Sequence, residues 1–296
     1  MNLDQLRNLL TLAKTLHFTE TAKKVNIVQP ALSKQLQQLE DRLGASLFLR
    51  SKRTVSLTPA GKYFFEQVER LLHQWDRVVE KTQHLQKGTQ SALRIGFTHS
   101  VMQSLLPDIL EGLKKLRPEV PTFLKEINNN DQYQALLRQE LDIGFATNPV
   151  VPRGLSWKKL YTDNFVVLLP LAHPVTTTNY SDFSVFAQDA FIFPPLSDGS
   201  DYIHVLESIC MDAGFRPKIS HETGSASTSF KLVEKGLGIC IEPKISVKGL
   251  QLPLRIIELH NIPQRAELIM IWNDRFAEDF PDLLDYLCSK ATTPQP

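Results

Sequence analysis

Between residues 18 and 44 the chain is constrained to two short helices joined by a tight break. The segment reads Phe18-Thr19-Glu20-Thr21-Ala22-Lys23-Lys24-Val25-Asn26-Ile27-Val28-Gln29-Pro30-Ala31-Leu32-Ser33-Lys34. Thr19 suits a cap on the first helix, Asn26 the break, and Pro30 the first turn of the second helix. Leu32, Leu36, Leu39 and Leu43 recur at spacings of four, three and four, which predicts one buried face. Pro30, Ser33, Lys34, Gln37 and Gln38 lie opposite that stripe, and Gly44 fits the helix stop. Two short helices of this kind, the second with small polar groups near its start, read as a helix-turn-helix.

The charge distribution agrees. Residues 1–58 hold nine Lys and Arg against four Asp and Glu, a net of about +5, while the remainder holds 24 against 28, about −4. The overall +1 therefore hides a basic head on a mildly acidic body, as expected if only the head meets a polyanion. Charge alone suits a solvated basic face equally well. Just past the helix pair, Arg50, Lys52 and Arg53 sit between the apolar anchors Leu47-Phe48-Leu49 and Val55-Ser56-Leu57. That is the pattern of a small β-wing whose basic tip reaches phosphates, although a partnerless surface hairpin would look similar.

These residues resemble the LysR-type transcriptional regulators, bacterial DNA-binding activators and repressors. The matching signature runs through Phe18-Thr19, Ala22, Gln29-Pro30-Ala31-Leu32-Ser33, Leu39-Glu40, Leu43-Gly44, Leu47-Phe48, Arg50 and Leu57-Thr58-Pro59-Ala60-Gly61. Leu16-His17 and Thr21 depart from the usual pattern; His17 reads as a helix-end or surface residue. The resemblance implies an α/β protein with an N-terminal winged helix-turn-helix, a long linker helix and a two-lobed, periplasmic-binding-protein-like effector domain. It implies that Gln29, Pro30, Ser33 and Lys34 meet base edges or nearby phosphates, joined in the expected DNA-binding set by Thr19, Ala31 and Gln37. Arg50, Lys52 and Arg53 would serve the wing. A glutamine amide pairs with adenine's edge, and Pro30 and Ala31 offer apolar contact to thymine methyls.

The expected domains are a DNA-binding domain over 1–58, a linker and dimerisation helix over 59–88, and an effector-binding domain over 89–296. Within the last, lobe I takes about 92–161 and 266–296, and lobe II about 162–265. Along the linker, Phe64, Val68, Leu71, Trp75, Val78, Thr82 and Leu85 alternate at spacings of four and three, with Leu72 and Val79 widening the stripe. A heptad seam of that length exceeds what a small head can bury, so Phe64, Val68, Leu71, Trp75 and Val78 are expected to dimerise the chain. Paired heads imply an operator of two related half-sites.

No apolar run approaches the roughly 20 residues that cross a bilayer, and Met1-Asn2-Leu3-Asp4 shows no secretory pattern. Cys210, Cys240 and Cys288 are far apart and odd in number. They suit reduced, mostly buried thiols of a cytoplasmic protein, neither a disulfide frame nor a metal site. From residue 91 onward strands and helices alternate, with strands at 93–97, 123–127, 142–146, 165–169, 191–193, 218–221, 238–241 and 267–271. Helices are expected at 103–116, 132–139, 202–213, 227–235 and 281–288. Such alternation implies parallel sheets in two lobes, and the resemblance returns the final strand and helix to the first lobe.

Ligands in open α/β sheets bind beyond the carboxyl ends of strands. That rule selects Thr98, Ser100, Asn129, Thr147, Pro194 and Ser225 as effector-binding candidates, with His99 read as a solvent-facing loop histidine or, alternatively, as a charge partner in the site. Each alone is also an ordinary cap or turn residue. Hydroxyls and amides converging from both lobes suit a small organic carboxylate, and the body resembles the subgroup sensing aromatic or other small organic acids through Arg94-Ile95-Gly96-Phe97 and Leu141-Asp142-Ile143-Gly144-Phe145. Both stretches, however, read as strands whose residues serve packing.

No nucleophile elbow, phosphate loop, His-Glu-x-x-His or Cys-x-x-Cys is present. No catalytic residues, cofactor or metal are expected. The reading is a ligand-gated regulator, against the alternatives of an enzyme with a fused DNA-binding head and a constitutive architectural DNA binder. Expected partners are double-stranded DNA, the chain itself as homodimer or homotetramer, a small organic effector and RNA polymerase, with no membrane.

Overall fold

The computed structural model describes residues 2–50, 54–87 and 92–289. Two compact units, Met1–Gly88 and Thr89–Pro296, account for the chain. In the first, α1 (Leu3–Thr15), α2 (Phe18–Lys24) and α3 (Gln29–Leu43) precede a hairpin of β1 (Phe48–Arg50) and β2 (Val55–Leu57), followed by α4 (Pro59–Lys87). Leu9, Leu12, Ala22, Leu32, Leu36, Leu39, Leu47, Phe48 and Phe65 form its core. Leu43 is exposed, so the α3 stripe ends one turn earlier than its spacing predicts.

The cap of α2 also differs from expectation. Leu16 turns left-handed at φ 53°, ending α1 and leaving His17 extended. The His17 ring nitrogen Nδ1 then accepts from the Glu20 backbone N–H at 3.2 Å. His17 is the cap, and Thr19 lies exposed inside the first turn. Asn26 takes the left-handed conformation at the break, and Gly44 does so after α3.

Two motifs lock the hairpin to its neighbours. The Glu40 carboxylate accepts from the Leu47 and Phe48 N–H groups at 2.6 and 3.2 Å. The Thr58 hydroxyl donates to the Ser46 carbonyl and accepts from the Gly61 N–H, each at 2.8 Å, capping α4. These contacts explain the Glu40 and Thr58-Pro59-Ala60-Gly61 signatures as structural. Farther along α4, Lys14 pairs with Glu69 at 2.5 Å, and Arg7 forms an ion pair with Asp76.

The second unit contains a five-stranded sheet of order β4-β3-β5-β12-β6. Its strands are β3 (Leu93–Phe97), β4 (Thr122–Glu126), β5 (Ile143–Thr147), β6 (Ser156–Asp163) and β12 (Ala266–Trp272). Helices α5 (His99–Met102), α6 (Leu106–Leu116), α7 (Asn129–Leu137), α10 (Asp274–Asp279) and α11 (Pro281–Ser289) belong to this lobe. Lobe II carries β7 (Phe165–Pro170), β8 (Ala190–Phe193), β9 (Lys218–Glu222), β10 (Cys240–Pro243) and β11 (Leu254–Glu258), with α8 (Ser200–Asp212) and α9 (Ala226–Glu234). Its sheets are β10-β7-β11 and β8-β9.

The sheets are mixed, which corrects the all-parallel expectation. β3 pairs in parallel with β4 and β5, but β12 runs antiparallel to both β5 and β6, and β7 runs antiparallel to β10 and β11. The chain crosses between lobes at β6–β7 and returns at β11–β12, and the first strand after each crossing, β7 and then β12, is the one that runs against its sheet neighbours. The helix expected over 103–116 begins only at Leu106, preceded by the separate short α5, because the Ser104 hydroxyl donates back to the Ser100 and Val101 carbonyls and Pro107 sits in the first turn of α6. Strands β6 and β11 are additional to those the sequence predicts. Gln132, fully buried, ties lobe I together by donating to the Ile127 and Phe145 carbonyls at 3.2 and 3.1 Å.

Candidate functional sites

Along α3, Gln29, Pro30, Lys34 and Gln37 are exposed, Ala31 and Ser33 are half-buried, and Leu32, Leu36 and Leu39 face the core. The outward face therefore gathers the residues the sequence singles out for base contact. No side chain caps α3: its N-cap is Val28, and Pro30 removes one backbone donor. The positive end of the helix dipole is thereby left open to a phosphate. Val28 itself is 68% exposed, an apolar side chain at the helix entry that periodicity does not flag. Thr19 lies on the neighbouring helix, exposed. Arg50 ends β1 opposite Val55, while Lys52 and Arg53 lie outside the described residues.

The α4 seam divides into two parts. Phe64 packs against the head's core and Val68 is 7% exposed, so these two serve the chain's own packing. This corrects the expectation that they face a partner, and the reason is geometric, since the first two turns of α4 lie on α1 and the hairpin. Leu72 is also buried. Beyond Val68, the residues Leu71, Trp75, Val78 and Val79 are exposed, an apolar face continuous along the helix. Leu85 has no described side chain.

In the second unit a cavity of about 630 Å³ opens between the two lobes. All six effector-binding candidates line it: Thr98, Ser100, Asn129, Thr147, Pro194 and Ser225. Strand ends place them. Thr98 and Ser100 follow β3, Asn129 opens α7, Thr147 ends β5, Pro194 follows β8, and Ser225 precedes α9. Three hydroxyls meet there, with Ser100 to Thr147 at 2.5 Å, Thr98 to Thr147 at 3.1 Å and Thr98 to Ser100 at 3.3 Å. The Asn129 amide nitrogen donates to the Thr147 carbonyl at 2.8 Å, leaving its Oδ1 as a buried acceptor without a partner among the described residues. Ser225 also caps α9, accepting from the Thr228 N–H at 3.4 Å.

His99 is not the solvent-facing loop residue expected. It opens α5, lines the cavity, and packs edge-on to Phe230 with ring centroids 6.0 Å apart. Burial lowers its pKa, opposed by Glu126, whose carboxylate stands 3.7 Å from Nδ1. Among the lining residues absent from the sequence-based candidates are Asp198, Tyr202 and Glu242. Burial raises the Asp198 pKa, and burial with the nearby Glu242 pushes the Tyr202 phenol well up. Glu242 is held up to about 8 by burial. It stands at the carboxyl end of β10, so the strand-end rule, applied to that strand as it was to β8, is the signal that could have found it. Contacts bridge the lobes beside the cavity: Asn128 Nδ2 donates to Asp198 at 3.3 Å, and the Val150 N–H donates to Asp201 at 3.1 Å.

Cys210 and Cys240 are buried free thiols and Cys288 is half-buried. No cluster of three or more His, Cys, Asp or Glu with metal-holding geometry occurs among the described residues. No described helix is long and apolar enough to cross a membrane.

Comparison with known proteins fits both units. Residues 3–62 match the bacterial regulatory helix-turn-helix protein, lysR family, and residues 86–284 match the LysR substrate binding domain. The HTH-type transcriptional regulator AlsR of Bacillus subtilis (strain 168) is 30% identical over 277 residues, covering 92% of this chain and 90% of AlsR. The crystal structure of CbnR, a LysR family transcriptional regulator, superposes with a TM-score of 0.74 at 17% identity, over 99% of this chain and all of that one. Full-length CbnR complexed with target DNA gives 0.72 at 19% identity, over 98% and 99% of the two chains. The chain belongs to the LysR family, whose members are ligand-responsive DNA-binding transcriptional regulators and not enzymes.

Proposed function

We propose that the chain binds a pseudo-palindromic operator as a dimer or tetramer and switches when a small organic acid enters the inter-lobe cavity. The observation that carries this reading is the convergence of Thr98, Ser100, Asn129, Thr147, Pro194 and Ser225 on one cavity between two lobes. An effector touching both lobes binds one lobe arrangement better than the other, and so shifts the population. Its carboxylate would sit at the backbone N–H groups that open α7 and α9.

On the DNA side, Gln29, Pro30, Ala31, Ser33, Lys34 and Gln37 would read the major groove from α3. Thr19 would take a phosphate from α2, and Arg50, Lys52 and Arg53 would hold the backbone from the wing. This reading divides the chain into a DNA-binding domain, the α4 linker and an effector domain, near residues 58 and 88. Two surfaces support self-association. The exposed face of Leu71, Trp75, Val78 and Val79 suits an antiparallel or parallel helix pair. In the effector unit, edge strand β4 is exposed throughout and carries Phe123 and Leu124, an open edge of the kind proteins cover. Two separate surfaces would build a tetramer, acting in the cytoplasm with RNA polymerase as the downstream partner.

Footprinting on the promoter nearest the gene, with and without an added effector, tests the switch. The protected region should change length or phase when effector is present. An unaltered footprint at saturating effector would favour a constitutive architectural binder.

A further inference from the structure

The ionisable groups lining the cavity are unusual for a site that would hold an acid. Among the described lining residues they are His99, Glu126, Asp198, Glu242 and the Tyr202 phenol, with no lysine or arginine. His99 is a poor cation, because burial disfavours its charged form. Lys244, close in sequence, is engaged with Glu258 at 2.6 Å and lines a different cavity. A carboxylate entering alone would meet three carboxyl groups and no fixed counter-charge.

The hydrogen-bonding groups point the same way. Thr98, Ser100 and Thr147 have three hydroxyl protons and make three contacts with one another, so they present mainly lone pairs outward. Asn129, only 6% exposed, has its Oδ1 buried without a partner. The Tyr202 hydroxyl is likewise buried and unpartnered. The Glu242 carboxyl makes no hydrogen bond or ion pair with any described residue, yet burial strongly disfavours its ionised form. The unmatched buried Asn129 acceptor is costly unless a ligand completes it, and the half-buried Glu242 carboxyl lines the same cavity.

We infer that the effector carries a protonated amine for Glu242 and Asn129 as well as a carboxylate, making it a small zwitterion of the amino-acid class. The ammonium supplies three donors and the missing positive charge; the carboxylate takes the backbone N–H groups at the starts of α7 and α9. This inference rests on the inter-lobe cavity being the effector site.

Matched ligands test it on the full-length protein. The twenty standard L-amino acids are screened by thermal shift, each hit is titrated calorimetrically, and each is paired with its deamino acid and its decarboxylated amine. For phenylalanine these are 3-phenylpropanoate and 2-phenylethylamine; for leucine, 4-methylpentanoate and 3-methylbutylamine. The expected result is that at least one amino acid binds, its deamino acid binds at least tenfold more weakly, and Glu242→Gln weakens the amino acid at least tenfold. The wild-type ligand comparison stands even if Glu242→Gln folds poorly. Ser227→Trp, which fills the cavity mouth from an exposed lining position, should abolish binding. Deamino acids that bind as tightly as amino acids, are lost in Ser227→Trp and ignore Glu242→Gln would overturn the inference while leaving the cavity as the effector site. Amino-acid binding indifferent to both variants would overturn the inference and the cavity reading together, and no binding by any amino acid would overturn the inference.

Discussion

Gly61 approaches Leu47 so closely that a β-carbon at position 61 would lie 2.0 Å from the Leu47 carbonyl oxygen. The same oxygen accepts from the Thr58 N–H at 3.0 Å, so it cannot withdraw without breaking the junction between hairpin and α4. Gly61→Ala should therefore destabilise the DNA-binding head by about 3 kcal/mol, as overpacking against fixed backbone does. Circular dichroism melts of the full chain should show an earlier transition. Ala60→Ser, one residue before and exposed, is the matched control and should melt as wild type.

Side chains that read DNA should be separable from those that hold the fold. Gln29 is exposed, and replacing it with alanine leaves the core untouched. Gln29→Ala and Ser33→Arg should abolish the operator shift at concentrations that saturate the wild type, and the exposed Gln29→Ala should change stability by less than about 0.5 kcal/mol. Loss of one bidentate base contact weakens binding by about 1–3 kcal/mol. Gel shifts that survive both substitutions would reject α3 as the reader.

The head was legible in the sequence because its rules are local. The left-handed Asn26 and Gly44, Pro30 in the first turn of α3, and the leucine stripe through Leu39 each follow from a few neighbouring residues. Where a tertiary contact decides, local reading fails. Thr19 is the better capping residue by propensity, but the left-handed turn at Leu16 delivers His17 to the cap instead. Strand β6 escapes notice because Ser156-Trp157-Lys158-Lys159 exposes alternate residues at the sheet margin and has no apolar run. The effector candidates come from a topological rule that fixes where strand ends gather. Glu242 was hidden because a lone acid before Pro243 looks like a turn residue until the fold buries it.

The outer face of α4 makes a prediction about assembly. Trp75 is 48% exposed, flanked by Leu71 and Val78 at heptad spacing. Trp75→Glu should weaken dimerisation at least tenfold by sedimentation equilibrium, since it places a charge in the middle of a paired seam. Val68→Ala should behave oppositely, leaving association intact while costing about 1–3 kcal/mol of head stability, because its methyl groups pack within the chain. Equal association for wild type and Trp75→Glu would remove α4 as the dimer helix.

Glu242 gives the ligand-free protein a pH signature of defined sign. Burial raises its folded-state pKa to about 8 from an ordinary value of 4.5. Between those values the unfolded chain has released a proton that the folded chain keeps, so raising the pH favours unfolding. Stability from this group is therefore full below about 4.5 and falls by at most about 1.4 kcal/mol per pH unit until the folded carboxyl ionises near 8. Asp163 and Asp198, also raised by burial, slope the same way, so the informative quantity is the difference between wild type and Glu242→Gln. Urea midpoints from pH 5 to 9 should diverge steadily, the variant gaining on the wild type as pH rises, with the gap levelling above pH 8. Parallel curves would mean that the Glu242 carboxyl finds water or a partner in the folded protein and carries no uncompensated charge for a ligand to meet.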